Sequence, residues 1–120
     1  MRFILVLLSV LFPLPATAMD VQEVKSPSGL VAWFVRDTTI PVVAVEISIG
    51  GGSIADPAGK EGLAVLATDL LTEGAGPYDA QAFAAKAEDS SISIDLRAGS
   101  DFIRGGFRAP SANAVEAFRL

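Results

Sequence analysis

Residues 59–76, GKEGLAVLATDLLTEGAG, carry glycines at both ends and leucines at helical spacing between them. Leu63, Leu66, Leu70 and Leu71 fall at i, i+3, i+7 and i+8, so they form one apolar stripe of an amphipathic helix. Val65 and Asp69, four apart, lie on a neighbouring face. Gly74 is the expected C-terminal stop, with Gly76-Pro77 beyond it. The leucine stripe is expected to pack the fold.

Strand character precedes this helix. LVAWFVRD (residues 30–37) is rich in branched and aromatic residues, and Ser26-Pro27-Ser28-Gly29 ahead of it reads as a turn. After a break at 38–41, VVAVEISIG places Val43, Val45, Ile47 and Ile49 on one face and Glu46 and Ser48 on the other. Two consecutive strands with a short link imply an antiparallel hairpin, half buried. No Gly-Lys-Ser/Thr signature follows Gly50-Gly51-Gly52, so the stretch through Asp56-Pro57 reads as a flexible strand-to-helix connection and not as a phosphate loop.

Beyond the glycine-ended helix, Asp79 can cap a second one running through AQAFAAKAE. Residues 91–99, SISIDLRAG, alternate as a strand, and 100–110 form its hairpin partner with Asp101 in the turn. Ser111 or Asn113 then opens a third helix, where Asn113 and Glu116 have capping-box spacing. That pattern stops at Leu120 in mid-helix, and the chain reads as an N-terminal piece of something larger. The fold class is α+β: a largely antiparallel sheet with helices packed on one face, truncated in the third helix.

Composition narrows the chemistry. MRFILVLLSVLFPLPATA joins a basic Arg2, an apolar stretch and an Ala-x-Ala end, the pattern of a signal peptide cleaved after Ala18. The apolar run, interrupted by Pro13 and Pro15, is too short for a membrane anchor. Export to a periplasm, or secretion, is the expected location. Without Arg2, eight basic residues face fourteen acidic ones, a net charge of −6 that argues against nucleic acid and anionic membranes. The chain has no cysteine, so its core must hold it without disulfides. It has no histidine either, which removes the usual general base, the common triads and most zinc sites.

The stretch PSGLVAWFVRDTTIPVVAVEISIGGGSIADPAGKEGLAVLATDLLTEGAG (27–76), with FAAKAEDSSISIDLRAGSDFIRGGFRAP (83–110) after it, resembles the N-terminal domain of the insulinase-like (M16) zinc peptidases. That family includes pitrilysin and the mitochondrial processing peptidases. The resemblance rests on Ser28-Gly29-Leu30, Pro41-Val42-Val43, Gly50 to Ser53, Pro57, Gly59-Lys60 and Gly62-Leu63-Ala64, taken in order, and covers residues 19–120. In active members an inverted motif, His-x-x-Glu-His, directly follows the Gly-Leu-Ala. Its two histidines bind zinc from one helix face, and the glutamate activates the metal-bound water. A further glutamate ligand comes from beyond the segment seen here.

The matching positions are Val65, Thr68 and Asp69. Valine cannot ligate, threonine cannot serve as a carboxylate base, and one aspartate does not hold zinc without neighbours. The resemblance therefore implies a degenerate copy: a non-catalytic subunit that pairs with an active, zinc-bearing subunit and helps close a substrate chamber. No cofactor is expected in this chain. The strand Ser91, Ile92, Ser93, Ile94, Asp95, Leu96, Arg97 matches the edge on which family members dock extended peptides through backbone hydrogen bonds. An edge covered by another domain is the competing reading.

Three other features stand on the residues alone. Asp69, Glu73 and Asp95 could share a metal if the fold gathered them, although acids four apart are ordinarily a solvated helix face. Trp33 and Phe34 read as core and sheet surface, and Tyr78 as an anchor for its loop. Two alternatives stay open beside the silent subunit: a peptidase with an unconventional metal site, and a periplasmic peptide-binding or assembly module with no peptidase partner.

Overall fold

The computed structural model describes residues 19–120, so the expected leader, 1–18, lies outside the described residues. The chain divides into two units, one reaching Thr38 and one spanning Thr39–Leu120.

The first unit is an antiparallel ribbon of β1 (Val21–Lys25) and β2 (Val31–Val35), with Val21 opposite Val35 and Lys25 opposite Val31. Ser26 closes the turn twice. Its backbone N–H donates to the Leu30 carbonyl at 2.8 Å, and its hydroxyl accepts the Leu30 N–H at 3.0 Å. The sequence reading missed β1, because VQEVK mixes valines and charges too evenly to stand out. Trp33 sits on the ribbon surface, 80% exposed, and not in a core.

The second unit contains β3 (Val42–Gly50), α1 (Leu63–Leu70), a small ribbon of β4 (Gly74–Ala75) and β5 (Tyr78–Asp79), α2 (Ala80–Asp89), β6 (Ser93–Ala98), β7 (Phe102–Pro110) and α3 (Ala114–Ala117). Its main sheet has the order β3-β7-β6, antiparallel throughout. The expected hairpin of the second and third strands does not form. β2 pairs with β1 across a tight turn, while β3 finds in β7 a partner of equal length, nine residues each. The tight turn at Ser26–Leu30 brings β1 beside β2 at little loop-closure cost, and β7 gives β3 a ladder along its whole length.

Register puts Val45, Phe107 and Ile94 in one row, and Ile49, Ile103 and Ala98 in another, all on the helix-bearing face. Ile92, Ala109 and Ala117 are buried, with Ile94, Phe107 and Leu120 packed round them. Phe118 meets Phe107 edge-to-face, ring centres 4.9 Å apart, the geometry the ring quadrupoles favour. Phe83 of α2 is also buried. Beside this core the same face holds an apolar hollow of about 320 Å³, bordered by Ile47, Ile49, Leu71, Phe83 and Leu96 among others. The architecture is α+β, as the residue pattern predicts.

Several local expectations give way to tertiary contacts. The glycine triplet is no loose connection. The Gly51, Ser53 and Ile54 N–H groups donate to the Asp101, Gly99 and Ser100 carbonyls at 2.9–3.0 Å, strapping the end of β3 to the β6–β7 turn. A 3-10 turn, Ser53–Ala55, follows at once. Gly74 does not stop α1, which ends at Leu70; it lies in β4 at φ 134°. Asp79 does cap α2, its carboxylate accepting the Ala82 N–H at 2.8 Å. The capping box at the third helix is absent. The Asn113 amide reaches back to donate to the Ser90 carbonyl at 2.8 Å, and Glu116 pairs with Lys86 at 2.8 Å. Both residues tie α3 to α2 instead of closing their own helix end.

Candidate functional site

The helix that decides the family resemblance is started from a distance. Asp56 lies ahead of α1, and its two carboxylate oxygens accept the Gly62 and Ala64 N–H groups at 2.7 and 2.9 Å. These are N–H groups that a helix leaves without intrahelical partners. Gly62 takes the left-handed conformation, φ 92°, which lets the chain turn sharply from the loop into the helix. Glu61, next to it, accepts backbone N–H groups, its own and that of Gly59, and these hold its carboxyl below the usual carboxylate range.

Within α1 the buried residues are Ala64 and Thr68, one turn apart, and not the leucines. Leu63, Leu66, Leu70 and Leu71 are 45–57% exposed, so the expected core stripe is half open among the described residues. The reason is packing distance. α1 lies against β6, and small side chains at i and i+4 allow the closest approach.

Thr68 stands where active relatives would carry the general base, and it is 2% exposed. Its hydroxyl donates into its own helix, to the Val65 carbonyl at 2.8 Å and the Ala64 carbonyl at 3.2 Å. A hydroxyl has one proton, so it is spent there. Val65 and Asp69 share the outward face, both exposed. One offers methyl groups and the other a single carboxylate. The metal trio of Asp69, Glu73 and Asp95 is not assembled: among the described residues no three acidic groups gather closely enough to hold an ion.

β6 is the last strand of its sheet, paired with β7 on one side and with no strand on the other among the described residues. Of the seven residues expected in it, Ser93, Ile94, Asp95, Leu96 and Arg97 lie on the strand. Ser91 and Ile92 do not. Ser91 turns at φ 53°, its N–H donating to the Glu88 carbonyl, while the Ile92 N–H donates to the Ala87 carbonyl. The α2 C-terminus thus claims both backbones, and Ile92 goes into the core. Along the strand Ser93, Asp95 and Arg97 are exposed, with Ile94 and Leu96 half-buried between them. Arg97 holds Asp95 on its own strand at 3.1 Å. Tyr78, half-buried, pairs through its backbone with Ala75 in the small ribbon.

In the sequence Asp56 reads as a loop residue. Its only signal was an Asx-Pro pair shortly before a helix, a spacing no local capping rule covers.

No protein-family model matches the chain, and no curated protein matches it. A solved structure does: the crystal structure of a peptidase M16 inactive domain from Pseudomonas fluorescens, with a TM-score of 0.74 and 25% sequence identity over 83% of this chain. The match covers 25% of that protein, so the present chain spans about a quarter of the relative's length. The resemblance read from the residues is therefore present in three dimensions as well: the chain is M16-like, and similar to an inactive domain.

Proposed function

We propose that this chain is the silent member of an exported insulinase-like peptidase. It pairs with a zinc-bearing subunit, contributes to the substrate chamber, and carries no catalysis or zinc of its own. The observation that carries the reading is α1. Its outward pair, Val65 and Asp69, lacks a ligand set, and Thr68 at the place of the base is buried with its proton committed. The similarity to a domain described as inactive supports the same conclusion. β6 is the natural place for an extended peptide, since strand addition uses backbone groups and survives the loss of any side-chain motif. The leader pattern in residues 1–18 supports a periplasmic location for this assembly.

The test is recovery of the exported protein from its native periplasm, followed by zinc analysis and a peptide-cleavage assay before and after separating the chains. A co-eluting His-x-x-Glu-His protein that takes both zinc and cleavage away with it supports the reading. A chain that comes down alone, holds stoichiometric zinc and cuts peptides overturns it. A chain that comes down alone, inert and metal-free, favours the assembly-module alternative.

A further inference from the structure

The face of the main sheet opposite the helices is polar, and its charges follow a pattern. Register places Arg108 of β7 between Ala44 and Ser93, Gly106 between Glu46 and Asp95, and Arg104 between Ser48 and Arg97. Reading along the sheet, the rows run basic, acidic, basic. Neighbouring strands lie about 4.8 Å apart and alternate residues about 7 Å apart, so these charges are neighbours. Yet among the described residues no ion pair joins Glu46, Arg104 or Arg108 to anything, although all three are exposed. Arg104 faces Arg97 directly across the ladder, a like-charge pairing that is unfavourable in a sheet. It leans over the Phe102 ring at 5.8 Å. At the centre Gly106 has no side chain, which leaves a shallow open groove of about 720 Å³ between the flanking rows.

Unpaired charges of alternating sign at strand spacing are complementary to another strand. We propose that this face docks an extended peptide segment whose sheet-facing residues run acidic, basic, acidic at i, i+2 and i+4. An extended chain repeats its facing side chains about every 7 Å, which is the row spacing of the sheet. The segment's two acids meet Arg108 and Arg104, and its central base meets Glu46 over the gap at Gly106. A second copy of this chain fits less well: in register it sets arginine rows against arginine rows and acidic against acidic, and a one-row shift leaves one row of each copy unmatched. The proposal stands apart from the silent-subunit reading, because it requires neither zinc nor a peptidase partner.

The experiment uses the full chain and two labelled peptides of one composition, with cores Glu-Ser-Lys-Ser-Glu and Glu-Glu-Ser-Ser-Lys, followed by fluorescence anisotropy at low and moderate salt. Exposed ion pairs are individually weak, so three matched pairs against one predict a preference of about tenfold for the alternating core, shrinking as salt rises. Replacing Arg108→Glu, Glu46→Lys and Arg104→Glu together should shift the preference to a Lys-Ser-Glu-Ser-Lys core. Should that triple variant fail to fold, Arg108→Gln alone should reduce the preference several-fold while leaving the far-ultraviolet circular dichroism unchanged. Equal affinity for the two orders, no binding to either, or tighter binding of an oligothymidine than of the alternating peptide overturns the proposal.

Discussion

Asp56 and Thr68 show how single side chains settle what this helix can be. Asp56 supplies two acceptors to the first N–H groups of α1 from well up the chain. Removing them in Asp56→Ala should cost about 0.5–2 kcal/mol, the range measured for helix caps. Thermal unfolding should read this as a fall of about 4–8 °C per kcal/mol for a domain of this size. Asp56→Asn, which keeps one acceptor, should recover part of the loss. Identical melting of all three proteins would mean that the cap contributes nothing. Thr68 gives a sharper contrast. Its hydroxyl bonds only to helix carbonyls that already have partners, so Thr68→Val should change stability by no more than about 1 kcal/mol. Thr68→Glu, which would restore the base of an active relative, places a carboxylate at a position where the natural residue is 2% exposed, and should cost about 2–4 kcal/mol. Chemical denaturation separates the two. A well-tolerated glutamate would show that this position can still be turned toward a metal.

At the scale of elements, α1 keeps a surface on which two ligands could stand. Val65 and Asp69 are exposed and one turn apart, the spacing at which paired histidines bind zinc from a helix. The double variant Val65→His, Asp69→His should therefore bind Zn²⁺ or Ni²⁺ more tightly than the natural chain, as read by calorimetry. Failure to bind would show that α1 is not accessible to a metal at all. The pairing of α2 with α3 has its own signature in pH. The hydrogen bond and charge of Lys86 hold the Glu116 carboxyl below its ordinary value of 4.5, and Glu116 in turn raises Lys86 above 10.5. The depressed acid contributes stability that is fully present above pH 4.5 and lost as pH falls through its lowered folded value. The raised base contributes stability present below pH 10.5 and lost as pH climbs through its raised folded value. Glu116→Gln should flatten both limbs of the stability-pH curve. Because each side chain is still 36% exposed to water, the change should be small, and it should shrink further in high salt.

For the molecule as a whole, the strap between residues 51–54 and 99–101 joins parts of the chain that are far apart in sequence. A methyl group at Gly52 would meet the Gly99 carbonyl oxygen head-on, with the Ser100 carbonyl oxygen close behind at 2.7 Å. Gly52→Ala should therefore destabilise by about 1–3 kcal/mol, as overpacking does, whereas Gly50→Ala, with open space around it, should be milder. Equal denaturation midpoints would show the strap to be slack. Legibility follows the same division between near and far. The presence of α1 after Gly62, the Asp79 cap, the β6–β7 hairpin and the period-two face of β3 were all readable, because each depends on residues within a turn or two of one another, while the end of α1 at Leu70 rather than Gly74 was not. Which strand pairs with β3 was not. Nor was it readable that Ala64 and Thr68, rather than the leucines, face inward, or that Asn113 and Glu116 reach for α2. Each of these turns on a partner distant in sequence, and local propensity carries no information about it. So the sequence by itself determined the α+β class, the missing ligands in α1 and the family likeness, since composition and short-range spacing encode all three. The tertiary structure alone decided the β3-β7-β6 order, the commitment of the Thr68 proton and the alternating charges of the open sheet face, because those arise only when register sets distant residues side by side.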